Sequence, residues 1–469
     1  MYHYATSVLL AFNYIVLAYF VLLNGVYLVT SILAFRGLNL FSKRTRFLGI
    51  DDLITSAGAP PVTLIAPAFN EEATCVDSVN SLLTLIYPNY EIIIVNDGSK
   101  DGTLQKLIES YDLRPAARQN TADLSTKPVR NIYHSRQYHN LWLVDKENGG
   151  KADSLNAGIN ICRTPIFCSM DSDSLLEREA LSRIVMPFIE DSKTVAAGGI
   201  IRIANGSVID KGQIIEVRLP ESLLARFQVM EYLRAFLSGR MGWDAFNSTL
   251  IISGAFGMFK RSSVVTAGGF CTDTVGEDME LVVRLHRILR DRGEEYSIKF
   301  VPDPVAWTEC PETLITLGRQ RDRWQRGLME TLSKHRIMLF NPKYGRIGII
   351  AFPYFYFLEM LGPVIEFCGY FVFIVSLITG TVSWLFAAAF ILVAFVLGSA
   401  LSIAAIGLEE LTFRRYPKFS DLAKLFFLAF AENFGYRQIV TFWRIKGTLS
   451  SLGRKKGWGK MTRAGFKKA

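Results

Sequence analysis

Two long stretches without a single charge bracket a polar block, and that arrangement constrains what the chain can fold into. Val8 to Phe35 runs 28 residues, and Phe367 to Leu408 runs 42, without Asp, Glu, Lys or Arg. A helix needs about 20 apolar residues to cross a bilayer core, so the first stretch is predicted as a span. A signal peptide fits less well, because no basic segment precedes the stretch and no small-residue cleavage site closes it. Arg36, Lys43, Arg44 and Arg46 follow it, which predicts that end in the cytosol and the N-terminus outside. Ile349 to Phe367, the second charge-free stretch and the break at Thr379-Gly380-Thr381 together read as a helical hairpin of two spans. Glu359 and Glu366 fall in its first arm, where an unpaired carboxylate is costly. They lie near the interface or face a polar path between helices.

A last apolar segment, Asp421 to Trp443, is interrupted by Lys424, Glu432 and Arg437. As a full span it would carry the basic end of the chain outside, so an interfacial or re-entrant helix is the better expectation. Charge supports this reading. The 52 Lys and Arg against 43 Asp and Glu leave +9, and the nine basic residues from Arg444 onward, with no acidic ones, account for all of it. A uniformly basic nucleic-acid binder is disfavoured, and a basic tail beside a membrane is expected. The six cysteines are widely spread with no C-x-x-C pairing, which suits neither a zinc nor a disulfide framework and fits a reducing cytosolic face.

The block from 47 to 345 has ordinary soluble composition and is the part expected to carry chemistry. Val62 to Ala66 and Glu91 to Val95 read as short buried strands, with helical spacing from Glu71 to Ile86 between them. Strand, helix, strand is a βαβ unit and predicts a parallel sheet. Pro165 to Met170 gives a further buried strand. Asp97, Asp171 and Asp173 thus stand at the carboxyl ends of strands, where open α/β sheets bind ligands.

Four motifs carry possible chemistry, each with an ordinary alternative. Asp171-Ser172-Asp173 offers two hard oxygen ligands on one turn, as a divalent cation on a diphosphate requires, or is a solvated turn. Asn148-Gly149-Gly150-Lys151-Ala152 lets backbone amides and an ammonium approach an anion, or is a plain turn. Asp278 in Gly276-Glu277-Asp278 is a helix N-cap or a general base. Gln320-Arg321-Asp322-Arg323-Trp324 is a salt-bridged surface helix, or a guanidinium set on phosphate with an indole for stacking a sugar ring.

Taken in order with Pro67-Ala68-Phe69-Asn70-Glu71, Asn96-Asp97-Gly98-Ser99 and Leu155-Asn156, these motifs resemble the membrane-integrated family 2 glycosyltransferases. That group holds cellulose, hyaluronan, chitin-oligosaccharide and poly-N-acetylglucosamine synthases, and the resemblance covers residues 8 to 445. It implies an α/β GT-A fold, Rossmann-like with a mixed sheet and helices on both faces, joined to α-helical transmembrane segments. It implies a nucleotide-sugar donor, UDP-linked as is usual in the family, and Mg²⁺ or Mn²⁺.

By resemblance, Ala66, Pro67, Asn70, Glu71 and Asp97 lie near the base and ribose, and Lys151 and Arg323 near the phosphates. Asp173 is the main metal contact, with Asp171 and Ser172 beside the nucleotide. Asp278 is the general base. Ser253, Gly254, Gly276, Glu277, Gln320 and Trp324 are implied on the acceptor side, with Trp324 under the acceptor sugar.

The organisation expected is an N-terminal span (1–36), a cytosolic catalytic domain (47–310) and interfacial helices with the Q-x-x-R-W signature (311–345). A membrane hairpin (347–410), an interfacial or further membrane helix (421–445) and a basic cytosolic tail (446–469) follow. A multi-pass protein of the plasma or inner membrane is implied, with its catalytic domain in the cytosol among membrane lipids, and with a homo-oligomer or accessory subunit left open. The function implied is inverting transfer to a growing β-linked polysaccharide, coupled to its export. The alternative is single addition to a diacylglycerol, ceramide-like or polyprenyl acceptor. A scaffold with an inactive transferase domain fits least, because Asp171, Asp173, Asp278 and Arg323 are all present.

Overall fold

The computed structural model describes residues 2–47, 58–210, 212–416 and 418–453. From residue 454 the expected basic tail lies outside them. The chain divides into two compact units. One is built around a sheet (Leu40–Pro220 and Phe246–Cys310) and the other is helical (Met1–Asn39, Glu221–Ala245 and Pro311–Met461).

The sheet unit contains β1 (Val62–Ala68), β2 (Tyr90–Asn96), β3 (Leu113–Pro115), β4 (Val129–Ser135), β5 (Leu141–Lys146) and β6 (Ile166–Met170). After these come β7 (Leu175–Leu176), β8 (Thr194–Ile203), β9 (Val208–Asp210), β10 (Gln213–Glu216), β11 (Phe256–Lys260) and β12 (Ser297–Thr308). Ten of them form one sheet in the order β3-β4-β5-β2-β1-β6-β11-β8-β12-β7, and β9 and β10 pair separately. Its centre, β5-β2-β1-β6, is parallel, while β11 runs antiparallel between β6 and β8. This mixed sheet, with helices packed on it, is the α/β GT-A arrangement.

Two-sided burial explains the strand sequences. β1 and β6 are almost wholly buried, and parallel strands covered on both faces read as continuous apolar runs. Ile65, Ile93, Val144 and Phe167 share one core with Leu155 and Ile159 of the Lys151–Ile161 helix and Leu281 and Leu285 of the Glu277–Asp291 helix. The helix expected from Glu71 begins later and spans Cys75–Leu83. Asn70 takes a left-handed φ of 55°, and the Thr74 hydroxyl donates to the Glu71 carboxylate at 2.8 Å. That turn occupies the residues that would have opened the helix.

The helical unit opens with the helix Tyr2–Phe47, as far as Asn39. Among the described residues, two helices are long and apolar enough to cross a membrane, Ser7–Lys43 and Trp384–Thr412. A third candidate is the pair Ile347–Met360 and Gly362–Ile378, bent by 45°. Phe419–Ala431 and Tyr436–Leu452 are separate, shorter helices. Residues 221–245, inside the stretch expected as one catalytic domain (47–310), belong instead to this helical unit. Buried ion pairs draw them there. Arg234 binds Glu432 at 2.5 Å and Glu231 binds Arg321 at 2.7 Å; Glu432 and Arg321 are buried, where a charge left without its partner is costly, while Arg234 and Glu231 are half-buried. Glu359 and Glu366 have polar partners on other helices and, for Tyr354, on Glu359's own. Tyr27 and Tyr354 donate to Glu359 at 3.2 and 2.8 Å, and Tyr19 and Thr441 to Glu366 at 3.3 and 3.2 Å.

Candidate active site

The register of the sheet assembles the site. β1, β2, β5 and β6 all end at one edge. Phe256 of β11 pairs with Met170 of β6, so Ser253 and Gly254, just ahead of β11, arrive beside Asp171.

Asp97, one residue past β2, is 3% exposed, and both its carboxylate oxygens are taken up inside the protein. Oδ1 accepts from Lys146 Nζ at 2.7 Å and from the Gly149 amide at 2.9 Å; Oδ2 accepts from the Gly150 amide at 2.8 Å and from Asn148 Nδ2 at 3.1 Å. Its carboxylate therefore orders the Asn148–Gly150 loop. Lys146 is fully buried and also meets Asp153 at 2.6 Å. Sequence reasoning missed it, and the only local signal was a charged pair, Asp145-Lys146, ending an apolar strand.

The loop delivers Lys151 to the first turn of its helix, which faces the edge. Its ammonium lies 2.5 Å from Asp171 Oδ1 and 3.4 Å from Glu277 Oε1, and donates to the Gly254 carbonyl at 3.4 Å. Burial opposes that charge, but the Asp171, Glu277 and Asp278 carboxylates outweigh it and hold the ammonium above its ordinary pKa. Two or more carboxylates around one ammonium leave the edge net acidic.

Asp278 is not the N-cap of its helix; Gly276 occupies that position. Asp278 Oδ2 accepts from the Gly254 amide at 2.9 Å and Oδ1 from the Met279 amide at 2.8 Å. Two backbone donors thus fix the carboxylate, with Glu277 and Glu280 in the same first turn complementing the helix dipole. Glycine at 254 leaves room for both groups: a Cβ there would stand 2.6 Å from Lys151 Nζ, displacing the ammonium, and 3.4 Å from Asp278 Oδ2. Asn156 supports the arrangement from below. It accepts from the Phe270 amide at 2.7 Å and donates to the Phe270 carbonyl at 2.9 Å, tying the Lys151 helix to the segment before Gly276.

Ala66 and Pro67 form the end of β1, with Ala66 1% exposed. Past it, the Asn70 amide donates to Ser99 Oγ at 3.0 Å, its Oδ1 accepts from the Lys100 amide at 2.9 Å, and the Glu71 amide donates to Thr103 Oγ1 at 2.9 Å. The β1 and β2 ends are thereby joined into one rim. Asp171, Ser172 and Asp173 form the turn between β6 and β7, Asp173 buried and Asp171 and Ser172 partly open. Among the described residues, no group of three or more His, Cys, Asp or Glu forms a ligand set. Two hard carboxylates on one turn are nevertheless the kind of oxygen ligand that a diphosphate-bound divalent cation accepts.

Gln320, Arg323 and Trp324 belong to the helical unit, on Leu314–Lys334. That helix is not a solvated surface element. Gln325 donates to the Met360 carbonyl at 2.9 Å, and a Cβ at Gly318 would stand 2.6 Å from the Trp443 ring. Gln320 is 9% exposed, Arg323 is partly exposed and Trp324 is 38% exposed.

Comparison with known proteins adds the following. The family described as Glycosyl transferase family 2 matches residues 63–264, and that described as Glycosyl transferase family group 2 matches residues 166–402. Poly-beta-1,6-N-acetyl-D-glucosamine synthase of Staphylococcus aureus (strain COL) is 30% identical over 292 residues, 62% of this chain and 60% of that protein. The protein of the same name from Staphylococcus epidermidis is 30% identical over 272 residues, 58% of this chain and 55% of that one. The chain therefore spans less than two thirds of the curated relatives it matches. Among solved structures, the mannosyltransferase PcManGT from Pyrobaculum calidifontis, in complex with GDP-Man and Mn²⁺, is 16% identical with a TM-score of 0.48, covering 92% of this chain and 100% of that one.

Proposed function

Because the chain belongs to Glycosyl transferase family group 2, we propose that it is a membrane glycosyltransferase that moves a sugar from a nucleotide donor to a growing β-linked polysaccharide. The observation that carries this reading is the convergence of Asp171, Asp173, Lys151, Gly254 and Asp278 on one sheet edge. The donor is UDP-linked, and the 30% identity to the staphylococcal synthases makes N-acetylglucosamine the first sugar to test.

In this reading the acceptor hydroxyl gives its proton to Asp278, whose carboxylate is already aimed by the Gly254 and Met279 amides. The hydroxyl oxygen then attacks the anomeric carbon in line, and an α-linked donor yields a β-linked product. Lys151 is assigned to the departing diphosphate, and Arg323 has a second phosphate role by its motif. A Mg²⁺ or Mn²⁺ ion held by Asp173, with Asp171 beside it, would neutralise charge growing on that diphosphate. Gln320 and Trp324 serve the acceptor, with the indole under its sugar ring. The spans hold the protein in the membrane in several passes. The basic residues after the first span keep the sheet unit cytosolic.

The test is UDP release by the purified, detergent-solubilised chain with Mn²⁺ or Mg²⁺, across UDP-N-acetylglucosamine, UDP-glucose, UDP-galactose and UDP-glucuronate, with products sized on a gel. Release from one donor with a lengthening product is expected. A single-sugar lipid product would replace the polymer by the lipid-acceptor reading. Asp278→Asn should cut transfer by about 10²- to 10⁴-fold while donor binding is retained; transfer at full rate would remove Asp278 from the base role.

A further inference from the structure

Arg321, inside the helix that carries Gln320, Arg323 and Trp324, has no part in the reaction outlined above, yet it is 1% exposed. Its guanidinium carbon lies 4.3 Å from the centre of the Trp324 ring. At its far end Nη2 donates to Glu231 Oε2 at 2.7 Å, and the same oxygen accepts the Tyr436 hydroxyl at 2.6 Å. Tyr436 is itself stacked on Phe227, with centroids 4.9 Å apart and planes 17° apart. Two further guanidinium donors, Nε and Nη1, are buried with no hydrogen-bond acceptor among the described residues. Glu231 and the indole face are therefore what hold this cation.

We propose that Glu231, Arg321 and Tyr436 are positioning residues that lock the indole of Trp324 as a one-sided platform for the acceptor sugar. The inference rests on the reading of Trp324 given above. A Trp standing 38% exposed on a helix would ordinarily sample several rotamers. Here a desolvated cation covers one face, and cation–π attraction strengthens as water is excluded. The capped face is closed to a ligand, so a sugar ring stacks on the other. The three groups come from separate pieces of the helical unit: the Leu223–Tyr232 helix, the Leu314–Lys334 helix and the Tyr436–Leu452 helix. The platform is thus set by the packing of that unit rather than by the Trp324 helix alone.

The experiment measures KM for a β-1,6-linked N-acetylglucosamine pentamer and for UDP-N-acetylglucosamine in the full chain, comparing wild type, Trp324→Ala, Glu231→Gln and Tyr436→Phe. Pentamer binding is followed in parallel by tryptophan fluorescence. Trp324→Ala and Glu231→Gln should each raise the pentamer KM about tenfold or more, with the donor KM unmoved. Tyr436→Phe, which keeps the stack on Phe227, should raise it by a smaller factor; it carries the test alone if Glu231→Gln does not fold. A pentamer KM that rises in Trp324→Ala but is unchanged in the folded Glu231 or Tyr436 variants overturns the inference and leaves the role of Trp324 standing. A pentamer KM indifferent to Trp324→Ala, or no pentamer binding by the wild type, overturns both.

Discussion

Gly254 shows how closely single atoms are specified at the sheet edge. Its amide aims Asp278, its carbonyl receives Lys151, and its missing side chain leaves room for both. Gly254→Ala would meet the mobile end of a lysine rather than backbone, so the fold should tolerate it. We expect a thermal midpoint near that of the wild type together with a loss of about a hundredfold in kcat/KM, the usual result of displacing catalytic groups by about 1 Å. A variant with full activity would show that the Lys151 contact is dispensable. At this scale the sequence was legible in residue types more than in roles. Motif order singled out Asp171, Asp278 and Lys151, and the sheet brings them to one edge. That Asp97 spends its carboxylate on the Asn148–Gly150 loop was not, because its partners Lys146, Gly149 and Gly150 are about 50 residues away, brought close only by strand pairing. Arg321 was visible only as one of three arginines, since its partner Glu231 is 90 residues distant.

Among elements, β1, β2 and β6 could be read from short apolar runs, because burial on both faces leaves that pattern. The start of the Cys75–Leu83 helix could not, since a side-chain turn at Asn70–Thr74 displaced it. The Glu277–Asp291 helix carries a consequence of its own. His286 lies within it, 2% exposed, with Nε2 against the Thr249 carbonyl at 2.9 Å and Nδ1 against the Tyr296 hydroxyl at 2.8 Å. A carbonyl only accepts, so Nε2 carries the proton and Nδ1 receives the tyrosine's; the neutral ring satisfies both contacts. Burial lowers the imidazole pKa to about 4, with Arg290 adding to the effect. The unfolded chain takes up that proton near pH 6.5. Between those values the unfolded state holds more protons, so this contribution to stability is complete above about pH 6.5 and is lost as pH falls towards 4. The thermal midpoint should therefore drop between pH 7 and 4.5 more steeply in the wild type than in His286→Gln. Parallel curves would show that another group sets the acid limit.

For the whole molecule, the long apolar helices were the most legible feature, because a bilayer demands length and apolarity that few other structures need. The contents of the catalytic piece were less so. Residues 221–245 have the charges of a soluble helix, and only Glu432 and Arg321, far along the chain, reveal why those charges are tolerated in the helical unit. A fragment of residues 47–310 should accordingly aggregate or bind detergent, while the same fragment with 221–245 replaced by a flexible linker should stay monomeric by size exclusion. Equal behaviour of the two would mean that 221–245 needs no partner from the rest of the chain. The hydrogen bond between Glu231 and Tyr436 also sets a clock. Glu231 leaves the ribosome 205 residues before Tyr436, and at about 5–20 residues per second that interval is roughly ten to forty seconds. For that time a carboxylate destined for burial waits without the hydroxyl that completes its site, so the helical unit closes only as the last helix arrives.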